Sequence, residues 1–389
     1  MILRKLINNQ LFVSVYRFLK VAAYNLVYNT FIYKILLPHN IKNFLDFSKK
    51  YKLVVCHNGG GGTVAYMKNK YKDVPQILFL RNTVTADKDY IYSLENSDTG
   101  SRIYIKPKQL KSIQNVISEI HIIAVESYMS LEYILPWFVS LNVPIAYDLH
   151  DYHCVWYETH FIHNGKYLTD DDLQKSVLQY AFRKITFEQW HNIWAEFLGH
   201  VQVINAFSES SKNIFSKYYP EYSDKVKVTP HSTDYIKCGK VQKLSDKFTV
   251  GIFGIIRGED KGSEVVHSFL EFSKNKDYDI YINGELNPDC KVYASNIHYM
   301  GRYDVNRLDK IIEEQGITAV LFPSICPETF SYTVSELIHV EVPAACFNLG
   351  AQAEKISKYK YGQIIQDNSN EKILAALKAA YEKGLNDGK

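Results

Sequence analysis

The chain has 389 residues, of which 46% are hydrophobic and 22% charged. That composition excludes a disordered tail, a collagen-like repeat and a coiled-coil rod, and the length suits two or three domains with cores of their own. The net charge of +3 is too small to argue for a nucleic-acid partner, and none is expected. The 30 tyrosines read as a compositional bias. Cysteines at 56, 154, 238, 290, 326 and 346 form no C-x-x-C pair and read as reduced thiols. No apolar run reaches the ~18 residues of a spanning helix, and no secretion-signal pattern opens the chain. A cytoplasmic protein is expected, with the inner face of the membrane left open by the first 50 residues.

Residues 1–50 stand apart. Arg4, Lys5, Arg17, Lys20, Lys34 and Lys42 precede the first acid, Asp46. Leu11, Phe12, Val15, Phe18, Leu19, Ala22, Ala23 and Leu26 recur at helical spacing, and Arg17 and Lys20 fall off that stripe. Such a helix can lie in the headgroup layer of an anionic membrane. It can equally pack on the following domain with its basic face in water. Both readings stand, so peripheral membrane contact through residues 1–50 is one expectation.

An α/β rhythm begins at Lys52, and residues 51–240 read as the first Rossmann-like domain. An apolar strand at 52–56 leads into His57-Asn58-Gly59-Gly60-Gly61-Gly62-Thr63 and a helix over 64–70. Strand, glycine loop and helix together can receive an anion on backbone N–H groups. The string is neither G-x-G-x-x-G nor a Walker loop. Further strands are expected at 76–80, 121–125 and 144–149, with a helix over 130–141. Strands separated by helices imply a parallel sheet with ligands beyond its strand C-termini. Arg81, Glu126 and the run His150-Asp151-Tyr152-His153 lie just past those ends. The histidines and acids here show no metal-ligand spacing, and His150 reads as a substrate contact. Residues 155–200 read as aromatic and helical, 201–205 as a strand, Ser208 as a helix cap and 225–229 as a strand. The polar run 237–247 reads as a linker.

The pattern restarts in a second α/β domain, 247–370. A strand at 248–253 leads to a loop carrying Arg257 and Lys261 among glycines, then a helix from Ser263. Two cations past a strand end suit a diphosphate. Strands follow at 279–283, 298–299, 319–322 and 343–347, with a helix over 306–315. A helix is expected to start near Thr329. Over the eight residues from Glu328 to Glu336 a helix rises about 12 Å and turns about 800°. Two such carboxylates cannot work as a pair on one bond. They suit two hydroxyl-rich parts of one long ligand, with the helix N-terminus meeting its phosphates. The D-x-D strings at Asp87/Asp89 and Asp277/Asp279 lie past no strand end and read as chance. The last helix, within 371–389, is expected to cross back to the first domain.

The stretch PETFSYTVSELIHVEVPAACFNLGAQAE resembles the Glu-x7-Glu region of glycosyltransferase family 4. The Lys261-Gly262 loop, PHSTDY at 230–235 and HDYH at 150–153 agree in order and spacing. CHNGGGGT and HDYH look most like the branch that builds bacterial surface polysaccharides. The resemblance spans roughly residues 52–380. It implies the GT-B fold, two Rossmann-like domains facing across a cleft, and sugar transfer with retention. By that resemblance Glu328 holds the donor sugar, and the N–H groups of Thr329, Phe330 and Ser331 meet sugar or phosphate oxygens. Glu336 holds the ribose, Arg257 and Lys261 neutralise the diphosphate, His150 lies near the sugar, and Gly61 and Gly62 lie near the diphosphate. Ser331 stands where many members have glycine, and the Arg257-to-Lys261 spacing is one residue off the usual pattern. The expected partners are a nucleotide-sugar donor and a carbohydrate acceptor, free or lipid-linked, with Arg81, Glu126 and Asp151 on the acceptor side. No cofactor and no metal are expected. Another GT-B enzyme, an epimerase or phosphorylase, and a non-catalytic GT-B subunit are the alternatives.

Overall fold

The computed structural model describes residues 41–57, 61–84, 91–125, 133–180 and 183–387. The amphipathic stretch before Ile41 and the Asp87/Asp89 string lie outside them. The chain forms two compact units. One comprises the described residues up to Leu149 together with Gln174–Asn205; the other comprises His150–Leu173 and Ala206–Lys389.

The first unit is built on strands β1 (Tyr51–Val55), β2 (Ile77–Val84), β3 (Ile91–Asn96), β4 (Arg102–Ile105), β5 (Ile117–Ile122), β6 (Ile145–Asp148) and β7 (Val203–Ala206). They lie side by side in the order β7-β6-β5-β1-β2-β3-β4. The run from β7 to β2 is parallel, with Val54 beside His121 and His121 beside Ala146. Leu53, Val54, Val55 and Cys56 are fully buried, as a strand covered on both faces requires. β2 runs on to Val84 and pairs antiparallel with β3, which pairs antiparallel with β4. This antiparallel extension is absent from the sequence reading. Helices α1 (Gly61–Lys70), α2 (Ile134–Ser140) and α3 (Phe187–Gly199) accompany the sheet. Thr186 caps α3 by accepting from the Gln189 N–H at 3.2 Å. Phe187, Trp190, Trp194, Phe197 and Leu198 of α3 are buried at helical spacing.

The segment 155–200, read as helical, is broken by two hairpins, Ile162–His163 with Lys166–Tyr167 and Val177–Tyr180 with Arg183–Thr186. Asn164 and Gly165 both adopt positive φ at the first turn, the combination a two-residue hairpin demands. Aromatic content alone does not separate strand from helix there.

The second unit carries a six-stranded sheet of β8 (Thr249–Ile256), β9 (Asp279–Leu286), β10 (Ile297–Gly301), β11 (Ala319–Phe322), β12 (Ala344–Phe347) and β13 (Gly362–Ile365). Its order is β10-β9-β8-β11-β12-β13, parallel throughout. Helix α4 (Glu209–Tyr218) starts at Ser208, whose Oγ accepts from the Ser211 N–H at 3.1 Å, the cap expected from sequence. Helices α5 (Ser263–Ser273), α6 (Leu308–Glu314), α7 (Tyr332–His339), α8 (Gly350–Lys358) and α9 (Asn370–Asp387) follow. One face of the sheet buries Ile252, Phe269, Ile280 and Leu321; the other buries Phe253, Val320, Leu337 and Ile356. The C-terminal helix, which the sequence reading sends back to the first domain, lays Ile373, Ala376 and Leu377 into the core of this second unit. Their apolar surface is consumed by the sheet they follow.

Candidate functional site

Within the second unit, strand order reverses between β8 and β11. Ligands of such sheets gather beyond the strand C-termini at that reversal. β8 ends at Ile256 and releases loop 257–262; its neighbour β11 ends at Phe322 and releases loop 323–331. The two loops are tied together. Ser324 Oγ and the Ile325 N–H both donate to the Asp260 carbonyl at 3.1 Å. Gly262 has φ +78, and a Cβ there would sit 2.0 Å from the Pro323 carbonyl oxygen. Only glycine fits both the left-handed backbone and that approach.

This contact brings Lys261 Nζ to 2.6 Å from Glu328 Oε1. Burial works against charge on both groups, and each partner's opposite charge outweighs it. The Glu328 carboxyl is held below its usual range and the Lys261 ammonium above its own. Gln352, fully buried, fixes the loop from behind. It accepts from the Glu328 N–H at 3.0 Å and donates to the Cys326 carbonyl at 2.6 Å. Gly350, with φ +57, lies so close that a Cβ would sit 2.5 Å from Glu328 N.

The helix expected near Thr329 begins at Tyr332. Ser331 adopts φ 62 and ψ 84, a left-handed conformation that interrupts any helical run. Glu328 is therefore outside the helix, and the eight-residue helical arithmetic does not apply to it. Glu336 lies in α7 and is 9% exposed. Its Oε1 accepts from Tyr235 at 2.8 Å and its Oε2 from Tyr303 at 3.0 Å. Burial raises the Glu336 carboxyl, and the two hydroxyls partly offset this.

Thr329 Oγ1 donates to the His150 carbonyl at 3.1 Å, and Ser211 Oγ donates to the Thr329 carbonyl at 3.0 Å. Among the described residues, no acceptor takes a hydrogen bond from the backbone N–H of Thr329, Phe330 or Ser331. The His150 ring stacks on His231 at 5.3 Å between centroids, and His231 stacks on Tyr332 at 5.3 Å. Asp151 is raised to about 6 by burial, against one hydrogen bond from the His153 N–H. His153 is fully buried, which pushes it down to about 3 and keeps it neutral. A groove of about 390 Å³ opens beside the loop, lined by Tyr157, Glu158, His160 and Asp260 among others.

Lys261, Glu328, Thr329 and the His150 backbone thus come together in one unit. Arg257 does not join them. It is exposed and pairs with Glu285, a carboxylate it shares with Arg302 at 2.5 Å. Asp279 starts β9, at the opposite end of the strands from the loops, and pairs with Lys247 at 2.6 Å.

In the first unit Gly61 and Gly62 form the opening of α1 rather than a loop before it. Residues 58–60 and Glu126 lie outside the described residues. Arg81, expected past a strand end, sits inside β2, because pairing with β3 carries that strand on to Val84. It lies 3.7 Å from Glu95, which also binds Arg102 at 2.5 Å. A buried polar cluster went unread in the sequence. Asp148 accepts from Asn205 at 2.6 Å and lies 2.8 Å from His121 Nε2 and 3.8 Å from Lys70. Tyr71 bonds the other nitrogen of His121. The available signal was an acid closing the otherwise apolar strand 145–148. Tyr235, Tyr303 and Gln352 were missed too. Tyr235 closes the PHSTDY string, but a chain with so many tyrosines gives no reason to single it out.

Among the described residues, no group of three or more His, Cys, Asp or Glu is placed to hold a metal ion. None of their helices is long and apolar enough to cross a membrane. No protein-family model matches the chain, and no curated protein matches its sequence. Solved structures do match. Anabaena HepE in complex with UDP and glucose is 12% identical over 87% of this chain and 92% of its own, with a TM-score of 0.56. HepE in complex with UDP-glucose is 12% identical over 86% of this chain and 94% of its own, with a TM-score of 0.53. The likeness is one of fold, the GT-B fold, with two Rossmann-like α/β units.

Proposed function

We propose that the chain is a glycosyltransferase of family 4 that moves a hexosyl or deoxyhexosyl group, with retention, from a nucleotide-sugar to a carbohydrate acceptor. The observation that carries this is the Lys261–Glu328 pair, set 2.6 Å apart at the strand reversal of the second unit. Its fold is shared with HepE, solved with UDP and with UDP-glucose.

In this reading Glu328, kept ionised by Lys261, accepts hydrogen bonds from donor sugar hydroxyls. The N–H groups of Thr329, Phe330 and Ser331 meet sugar or phosphate oxygens. Glu336 holds the ribose; each of its oxygens already accepts one tyrosine and has a lone pair left for a hydroxyl. His150 contacts the sugar. Asp151, Arg81 and Glu126 serve the acceptor, and Gly61 and Gly62 at the start of α1 serve the diphosphate. Expelling a nucleoside diphosphate concentrates negative charge on the leaving group, so stabilising that charge lowers the main barrier. Lys261 supplies a fixed cation for it and the helix N-termini supply partial positive charge, with no metal required. Arg257 joins only if it leaves Glu285. The product belongs to a bacterial surface polysaccharide, and the acceptor is lipid-linked if residues 1–50 lie on the membrane.

The test is a thermal-shift screen against UDP-, GDP- and dTDP-sugars, followed by transfer assays with the donor that binds. A ligand at about 100 times its dissociation constant adds roughly 2.7 kcal/mol. Stabilisation by one nucleotide-sugar family is expected. No response to any of them would remove the reading.

A further inference from the structure

Lys355 of α8 ends against the loop that precedes α7. Its Nζ donates to the Phe330 carbonyl at 2.5 Å, to the Ser331 carbonyl at 3.3 Å and to Ser335 Oγ at 2.6 Å. It also lies 3.4 Å from the centroid of the Phe330 ring. Ser335 Oγ donates in turn to the Ser331 carbonyl at 3.1 Å. A surface lysine would have no reason to collect these partners. They converge on Ser331, which holds φ 62 without being a glycine. Such a residue persists only where its surroundings over-determine it.

The peptide plane gives this a consequence. In a trans peptide the carbonyl of one residue and the N–H of the next point in opposite directions. Fixing the Phe330 carbonyl on Lys355 aims the Ser331 N–H away from Lys355. Fixing the Thr329 carbonyl on Ser211 does the same for the Phe330 N–H. We infer that Lys355 is a positioning residue: it holds the 329–331 loop so that its backbone N–H groups face a bound diphosphate, and it takes over the backbone restraint that a glycine at 331 would make unnecessary. This rests on the nucleotide-sugar reading above. Lys355 does not itself touch the nucleotide.

The experiment compares UDP with uridine by titration calorimetry on full-length wild type, Lys355→Met, Lys355→Arg and Lys355→Met/Ser331→Gly, with GDP and guanosine as the second pair. Methionine keeps most of the apolar stem, so the fold is expected to survive. Lys355→Met should weaken the diphosphate at least tenfold and leave the nucleoside within about twofold. A role confined to packing would instead lower the melting temperature without separating the two ligands. Lys355→Arg should retain most of the affinity. Adding Ser331→Gly to Lys355→Met should recover most of the loss, since glycine reaches this conformation unaided. Equal weakening of diphosphate and nucleoside, or unchanged diphosphate binding in Lys355→Met, would overturn the inference while leaving the nucleotide reading in place. Wild type that binds neither diphosphate would remove the nucleotide reading and this inference with it.

Discussion

Gly262 and Pro323 touch where loops from two neighbouring strands meet, and a Cβ on Gly262 would fall 2.0 Å from the Pro323 carbonyl oxygen. That single contact sets the reach of Lys261 to Glu328. Gly262→Ala must either strain the left-handed backbone or push the loops apart. A cost of about 1–3 kcal/mol is expected, together with loss of most sugar-nucleotide binding. Thermal melts and nucleotide titration check it; a variant that binds like wild type would show that the ion pair is not set by this contact.

Glu336→Ala should weaken nucleoside diphosphate binding by about 1.5–3 kcal/mol, the range for hydrogen bonds to a charged group. It also leaves the Tyr235 and Tyr303 hydroxyls without their acceptor, so some loss of stability accompanies it. Measuring affinity well below the melting temperature separates the two effects. Unchanged affinity in a folded variant would remove Glu336 from the ribose site.

On the proposed reading, transfer activity is expected to survive EDTA, because Lys261 would bring to the diphosphate the charge that a metal ion otherwise supplies. Loss of turnover on chelation, restored by Mg²⁺ or Mn²⁺, would show that the leaving group is handled differently.

Asp148 predicts an acid limb of stability. Burial alone would raise its carboxyl. The hydrogen bond and charge of His121, the Lys70 charge and the Asn205 hydrogen bond outweigh that and hold it at about 2, against an ordinary 3.8. A depressed carboxyl stabilises the fold fully above the unfolded value and loses that contribution as pH falls through the folded one. The difference corresponds to about 2 kcal/mol. Asp148→Asn should therefore melt lower than wild type at pH 7, and the two should converge as pH approaches 2. A gap that stays constant to pH 2 would mean the carboxylate is not the source.

The segment before Asp46 carries six basic residues and no acid. If it lies on a membrane, the full chain should sediment with anionic vesicles and release with salt, at about 1 kcal/mol per basic side chain near the surface. A chain starting near Lys49 should not. Equal sedimentation of both would end the membrane role. Aggregation of the shortened chain would show that the segment covers apolar surface.

Local chemistry in the sequence determined the alternation of strands and helices, the Ser208 cap, the start of α5 at Ser263 and the strand at 319–322. Each rests on neighbours within a few residues: a buried apolar run, a hydroxyl before a helix, a glycine after a strand. The pairing of Lys261 with Glu328 is different in kind. The two are 67 residues apart, and they meet because β8 and β11 are adjacent in the sheet although β9 and β10 separate them in sequence. Arg257 reads like Lys261 in the sequence, yet it turns to Glu285, whose strand lies on the other side of β8. Nothing local separates those two cations. In the same way Glu336 announced itself by spacing, while the tyrosines that take its oxygens, Tyr235 and Tyr303, come from segments 101 and 33 residues away. Side chains declare what they can bond to; which partner they find depends on strand order and backbone approach, and those are settled only when the whole sheet assembles.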